Sequence, residues 1–327
     1  MNLRNKVYQM FMIAPQGTKL EIGDNLYNAL QSGLGGVIFF TKNIISKEQT
    51  KTFTKQITET GLIKPFIGID EEGGRVERTE NIFNGKKFLS ARYQAQNGIE
   101  FVKKESDAIS KLIKSLGFNM NFAPVLDVDT NPQNPIIAER AYGSITSDVE
   151  KYALCAMDTY IKNNIIPVGK HFPGHGDVNA DSHLTLPTLE LPLEEVINTH
   201  IHPFKTAIEE NIPAIMVAHL FCPCFDTEKI PSSLSSNVIG YLRNELKFDG
   251  LIISDDMQMG GIGEYEPTTA TIKGILAGIN LFLYRESTNA IISIIESIVK
   301  EAENNENLAQ KIEQSFEIIQ KIKTKFL

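Results

Sequence analysis

Short apolar runs recur along the chain, and between them apolar residues return every three or four positions. Eight runs stand out, at 10–14, 36–40, 65–69, 119–125, 165–168, 214–218, 251–253 and 279–284. Several are continuous rather than alternating, as in strands buried on both faces. Between the fourth and fifth runs, Tyr152, Ala153, Ala156, Met157, Tyr160 and Ile161 form one apolar helical face. Ser147-x-x-Glu150 predicts a capping box at the start of that helix. Residues 194–210 and 236–246 repeat the helical period, and the charged closing segment 287–327 is helical in period as well. Strands alternating with helices predict an α/β chain, a (β/α)₈ TIM barrel with C-terminal helices. A doubly wound sheet is the alternative, since run counts alone do not separate the two. No run suggests a second sheet, so residues 1–327 are expected to form a single domain.

The polar residues just after the runs carry the chemistry. The densest group is KHFPGHGDVNADSHLTLP at 170–187, which begins where the fifth run ends and holds three of the six histidines, His171, His175 and His183. Pro173, Gly174 and Gly176 rule out a regular helix there, so the segment is expected to be a loop from Lys170 onward. After the third run comes IDEEGGRVER, with Asp70, a Gly73-Gly74 turn, Arg75 and Arg78. Asp127, Asp129, Glu139 and Arg140 come after the fourth, His219 ends the sixth, and Ser254-Asp255-Asp256 ends the seventh. In a barrel all of these face one end. Adjacent strand residues point to opposite faces, so only one of Asp255 and Asp256 is expected in the site. Asp181, two residues before His183, is placed to hold its tautomer and raise its basicity; a turn-capping aspartate is the plainer reading. His171, His175, His183, His219 and Asp255 could together supply metal ligands, but no His-x-His ends the first run and no His-Glu-x-x-His occurs. No metal and no cofactor are expected.

Composition narrows the partners. With 32 basic and 40 acidic residues the net charge is −8, and no basic run forms a nucleic-acid patch. No segment is long and apolar enough to span a membrane, and the N-terminal stretch lacks the cleavage site of a signal peptide. The three cysteines, Cys155, Cys222 and Cys224, are odd in number and read as free thiols. Cys222-Pro223-Cys224 is too short a spacing for a zinc ribbon or a thioredoxin motif. Reduced thiols suit a cytoplasmic protein, and a monomer is expected. Tryptophan is absent, so a sugar site would rely mainly on hydrogen bonds.

These motifs resemble glycoside hydrolase family 3, and most of all its bacterial exo-β-N-acetylglucosaminidases. The resemblance runs from Met10 to about Leu283 and rests on KHFPGHGDVNADSH at 170–183, ISDDM at 253–257, IDEEGGRVER, IIAERAYG at 136–143 and MVAH at 216–219. It implies the barrel and a retaining mechanism. Asp255 would be the nucleophile, and His183 the general acid and then base, oriented by Asp181. Asp70, Arg78, Arg140, Lys170 and His171 would bind the terminal sugar. The implied substrate is a small carbohydrate or muropeptide: N-acetylglucosamine β-1,4-linked to anhydro-N-acetylmuramic acid, with or without peptide, as in peptidoglycan recycling. Most glycosidases pair two carboxylates; here a histidine replaces one. The eighth run departs from the family's pattern, ending in Tyr284-Arg285 without an expected aspartate. Alternatives are a β-glucosidase or xylosidase, an N-acetylglucosaminide phosphorylase, a metal-dependent barrel hydrolase and a non-catalytic sugar-binding barrel.

Overall fold

The computed structural model describes residues 1–178 and 186–327. Its eight strands close into one parallel barrel in sequence order, as the eight apolar runs predict. They are β1 (Phe11–Ile13), β2 (Gly36–Phe39), β3 (Phe66–Ile69), β4 (Met120–Asn121), β5 (Ile166–Phe172), β6 (Ala214–Val217), β7 (Leu251–Asp256) and β8 (Leu281–Tyr284). Closure comes from β1, which pairs with β2 through Met12 and Gly36 and with β8 through Phe11 and Phe282. The barrel is a packed core. Gly68 leaves room for the Phe122 ring, since a Cβ there would lie 2.8 Å from it.

Two strands run further than their apolar stretches suggest. β5 continues through Lys170, His171 and Phe172, so the loop begins at Pro173 rather than at Lys170. β7 continues to Asp256. Both extensions are irregular: the register with the neighbouring strand shifts between Gly169 and Phe172, and again between Ile253 and Asp256. Each strand end exchanges apolar side chains for ionisable ones, which only the barrel mouth can accommodate.

The helices match the predicted periods with two corrections. The helix Thr146–Lys162 starts after Ile145, so Ser147 lies within its first turn and forms no capping box. Glu150 instead accepts from His202 Nδ1 at 2.5 Å and Thr206 Oγ1 at 2.7 Å, on the adjacent helix. The segments read as plain helices at 194–210 and 236–246 contain π turns, Val196–Ile201 and Tyr241–Glu245. An apolar period does not register the single extra residue of a π turn.

At the N-terminal end of the barrel, the helix Leu3–Gln9 packs against Asn289–Asn304 and Glu306–Phe326. Arg4 pairs with Glu296 at 2.6 Å and Lys6 with Glu313. Among the described residues no helix is long and apolar enough to cross a membrane.

Candidate active site

A cavity of about 270 Å³ opens at the C-terminal ends of the strands, slightly below the roughly 300–1,000 Å³ of drug-sized ligand pockets. Six of the eight residues given catalytic or sugar-binding roles from the sequence line it, Asp70, Arg78, Arg140, Lys170, His171 and Asp255, and His175, Asp256 and Arg285 line it as well. The first six come from the segments after β3 and β4 and from β5 and β7, and only barrel closure brings them together. Asp181 and His183 lie outside the described residues.

One wall is a buried charge network. Lys170, 2% exposed, lies 2.8 Å from Asp70 and 2.6 Å from Glu72. Arg140 donates through Nε and Nη2 to both Glu72 oxygens, at 2.9 Å each. Burial alone would raise the Glu72 carboxyl, but Arg140 and Lys170 hold it well below the usual carboxylate range. Glu72 thus aligns two cations that line the cavity. It stands in IDEEGG two residues after Asp70, and nothing in that motif distinguishes it as the shared partner. Arg78 lies over the Phe40 ring and 3.6 Å from Asp70.

His171 is oriented from behind by Asp127, which is fully buried. Asp127 Oδ2 lies 2.6 Å from His171 Nδ1, and its Oδ1 accepts the His175 backbone N–H at 2.7 Å. Arg140 Nη2 lies 3.3 Å from His171 Nε2. An arginine only donates, so Nε2 is the acceptor and the proton sits on Nδ1, facing Asp127. Burial opposes ionisation of Asp127, but His171 overcomes it and holds the carboxyl below its ordinary value. The His175 ring stands edge-on to His171 with centroids 5.9 Å apart, and burial lowers its pKa to about 4, so it is neutral.

Asp255 and Asp256 both line the cavity, contrary to the alternation expected of a strand. The register shift at the end of β7 is the reason, because a bulge cancels the period of two. Burial pushes the Asp255 carboxyl up. The imidazoles of His171 and His219, the Asp256 N–H at 2.8 Å and Lys170 outweigh it, leaving Asp255 below the usual aspartate value and ionised at neutral pH. Asp256 is pushed up to about 6, chiefly by burial and also by Asp255, against the pull of the Gln258 N–H and of Arg285 at 3.4 Å. The two neighbours therefore titrate apart, Asp256 taking up a proton as pH falls through about 6 while Asp255 stays ionised. His219 braces the strand end from below. Its Nε2 donates to the Asp256 carbonyl at 3.0 Å, so its Nδ1 accepts the Ser233 hydroxyl at 2.7 Å.

Other polar residues noted in the sequence do not line this cavity. Arg75 donates to the carbonyls of Pro135 and Ile136, Asp129 pairs with Arg92 at 2.7 Å, and Asp177 accepts from Thr130 at 2.6 Å. Asn134 and Asn131 also hold the described start of the histidine loop, through the His175 and Asp177 carbonyls. Gly176 lies so close to the β4 loop that a Cβ would sit 1.7 Å from the Val128 carbonyl oxygen. Among the described residues no group of three or more His, Cys, Asp or Glu side chains could hold a metal ion.

The chain matches the model of the glycosyl hydrolase family 3 N terminal domain over residues 2–322. It is 30% identical over 320 residues to beta-hexosaminidase A of Pseudoalteromonas piscicida, an alignment covering 89% of this chain and 53% of that protein. Among solved structures it is similar to the family 3 β-N-acetylglucosaminidase of Paenibacillus sp. FPU-7, with a TM-score of 0.91, 30% identity, and coverage of 99% of this chain and 62% of that one. It is also similar to NagZ of Neisseria gonorrhoeae, solved in complex with N-trifluoroacetyl-D-glucosamine, with a TM-score of 0.79, 26% identity, and coverage of 96% and 92%. The chain thus spans about half the length of the Pseudoalteromonas protein and less than two thirds of the Paenibacillus one.

Proposed function

The chain belongs to glycosyl hydrolase family 3, and from that premise we propose that it is a retaining exo-β-N-acetylglucosaminidase. The observation that carries the reading is Asp255, ionised in a small cavity whose facing wall is the Asp70–Lys170–Glu72–Arg140 network beside His171. Asp70, Arg78, Arg140, Lys170 and His171 bind the hydroxyls of the terminal sugar. The Asp255 carboxylate attacks the anomeric carbon as the glycosidic C–O bond breaks. His183, oriented by Asp181, protonates the departing oxygen. Water then attacks the glycosyl ester, His183 takes its proton, and Asp255 is released. A neutral imidazole puts no second negative charge beside that ester.

The cavity takes one sugar, which fits removal of terminal units. The substrate proposed is N-acetylglucosamine linked to anhydro-N-acetylmuramic acid, in cell-wall recycling in the cytoplasm. The similarity to a protein solved with an N-acylated glucosamine supports an N-acetylated sugar over plain glucose. The assay is release of 4-nitrophenol from its N-acetyl-β-D-glucosaminide, run beside the glucoside and in phosphate buffer. Wild type is expected to favour the N-acetylated substrate and to yield free sugar. Asp255→Ala is expected to lose at least about 10³-fold in kcat. Full release by that variant, or a faster glucoside, rejects the reading, and a sugar 1-phosphate product rejects hydrolysis.

A further inference from the structure

Cys222 and Cys224 sit in the loop that leaves β6, with Sγ atoms 3.6 Å apart. Cys222 is buried at 1% exposure, whereas Cys224 is partly exposed. The turn that brings them together is firmly held. Phe225 and Asp226 donate their N–H groups to the Cys222 carbonyl at 2.9 and 3.2 Å. Asp226 accepts from Ser235 at 2.5 Å and Asn237 at 2.8 Å. Pro223 fixes one backbone dihedral between the thiols. No third His, Cys, Asp or Glu joins them to make a metal site among the described residues.

We infer that Cys222 and Cys224 are a redox-active dithiol that a peroxide closes to a disulfide, slowing the glycosidase. The thiol–thiol hydrogen bond lowers the Cys224 thiol below its ordinary value and, with burial, raises that of Cys222. Cys224 is therefore the more acidic of the two and the accessible one, and its thiolate form is the nucleophile. It attacks one peroxide oxygen, gives a sulfenic acid and expels hydroxide. The Cys222 sulfur then attacks the Cys224 sulfur and displaces the second hydroxide, while its proton and one from solvent complete two waters. In sum, two thiols and one hydrogen peroxide give one disulfide and two waters. A disulfide needs about 2.05 Å, so the sulfurs must approach by roughly 1.5 Å. A one-residue spacing makes a strained ring, hence a bond that thiols reduce readily.

The movement has a route to the site. Phe221, next to Cys222, donates to the Pro187 carbonyl at 2.8 Å and accepts from Leu189 N–H at 2.9 Å, at the described end of the histidine loop. Two residues before it, His219 holds the Asp256 carbonyl beside the proposed nucleophile. Displacement of catalytic groups by about 1 Å can cost 10²-fold, so a loss of at least about tenfold is expected.

The test treats the whole protein with hydrogen peroxide, alkylates it and digests it with trypsin. Cys222 and Cys224 fall in one peptide, 206–229, and Cys155 in another, 152–162. The 206–229 peptide is expected to resist alkylation and to be lighter by two hydrogens until dithiothreitol is added, with Cys155 alkylated throughout. Nitrophenol release is expected to fall and recover in step. Cys224→Ser, at the partly exposed position, is expected to keep basal activity and lose the response; Cys222→Ser, buried, is only a secondary check. Two alkylatable thiols in 206–229 after peroxide, an unchanged rate once the disulfide has formed, or an equal response from Cys224→Ser would overturn the inference. The mass measurement needs no glycosidase activity, so it fails independently of the proposed function.

Discussion

At the scale of single residues, the site depends on which charges are compensated. Glu72 is 6% exposed and shared between Lys170 and Arg140. Glu72→Gln leaves two cations with one counter-charge fewer, and removing one partner of a buried ion pair costs about 3–5 kcal/mol. A marked drop in Tm and a raised KM are expected. The pH sign comes from a folded pKa held below the unfolded value of about 4.3. Glu72 stabilises the fold above that value, and the contribution is lost as pH falls through the folded pKa. Acid titrations of stability should therefore be steeper below about pH 4 in wild type than in Glu72→Gln. His183 supplies a kinetic contrast. If it protonates the leaving oxygen, His183→Ala slows disaccharide cleavage by about 10²–10⁴-fold and nitrophenol release far less. Equal losses on both substrates would remove His183 from that role.

At the scale of elements, irregular strand ends create the site. An undisturbed strand would turn one of Lys170 and His171, and one of Asp255 and Asp256, away from the cavity; all four line it. The positions and spacing of all eight strands are legible as apolar runs, because burial on both faces writes itself directly into composition. The bulges are not legible, because they depend on register with a neighbouring strand. Glu72 and Asp127 are similarly visible as polar residues near strand ends, but not as partners, since their partners lie far along the chain. Gly176 tests how the histidine loop is seated. A methyl group at 1.7 Å from the Val128 oxygen meets backbone rather than a side chain that can swing aside. Gly176→Ala is expected to lose at least about tenfold in kcat/KM while the barrel still gives a cooperative thermal transition, since overpacking typically costs roughly 1–3 kcal/mol and here the contact is with rigid backbone. Activity within twofold of wild type would show that the loop's seat is not tight.

At the scale of the whole molecule, one end of the barrel carries the site and the other carries closure. Lys323, 5% exposed, stands at the closed end, with Nζ 3.0 Å from Gln9 Oε1 and 4.9 Å from the centre of the Phe66 ring. Burial lowers its pKa to about 7. The unfolded chain, with a lysine near 10.4, binds the proton more tightly. Stability from this residue is therefore fully present above about pH 10 and falls as pH drops toward 7. Lys323→Met should raise Tm at pH 7 and flatten the rise between pH 7 and about 10. Gln9 Oε1 keeps its bond from Gln320 at 2.9 Å. An unchanged or lower Tm would mean that the ammonium is stabilising where it lies.

The amino-acid order by itself determined the eight strands and their alternation with helices, the polar residues that follow them, and most of the charged residues lining the cavity, while closure into a barrel rather than an open sheet is seen in the strand pairing. The former are consequences of short-range patterns: apolar runs make strands, and the polar residues at their C-terminal ends face the mouth. Tertiary structure alone decided that both aspartates of β7 share the cavity, that Glu72 holds Arg140 and Lys170 together, that Asp127 sets the proton on His171, and that Cys222 and Cys224 touch. Charge state and contact arise from groups brought together by barrel closure and loop packing, and their energies depend on distance and burial in space rather than on separation along the chain.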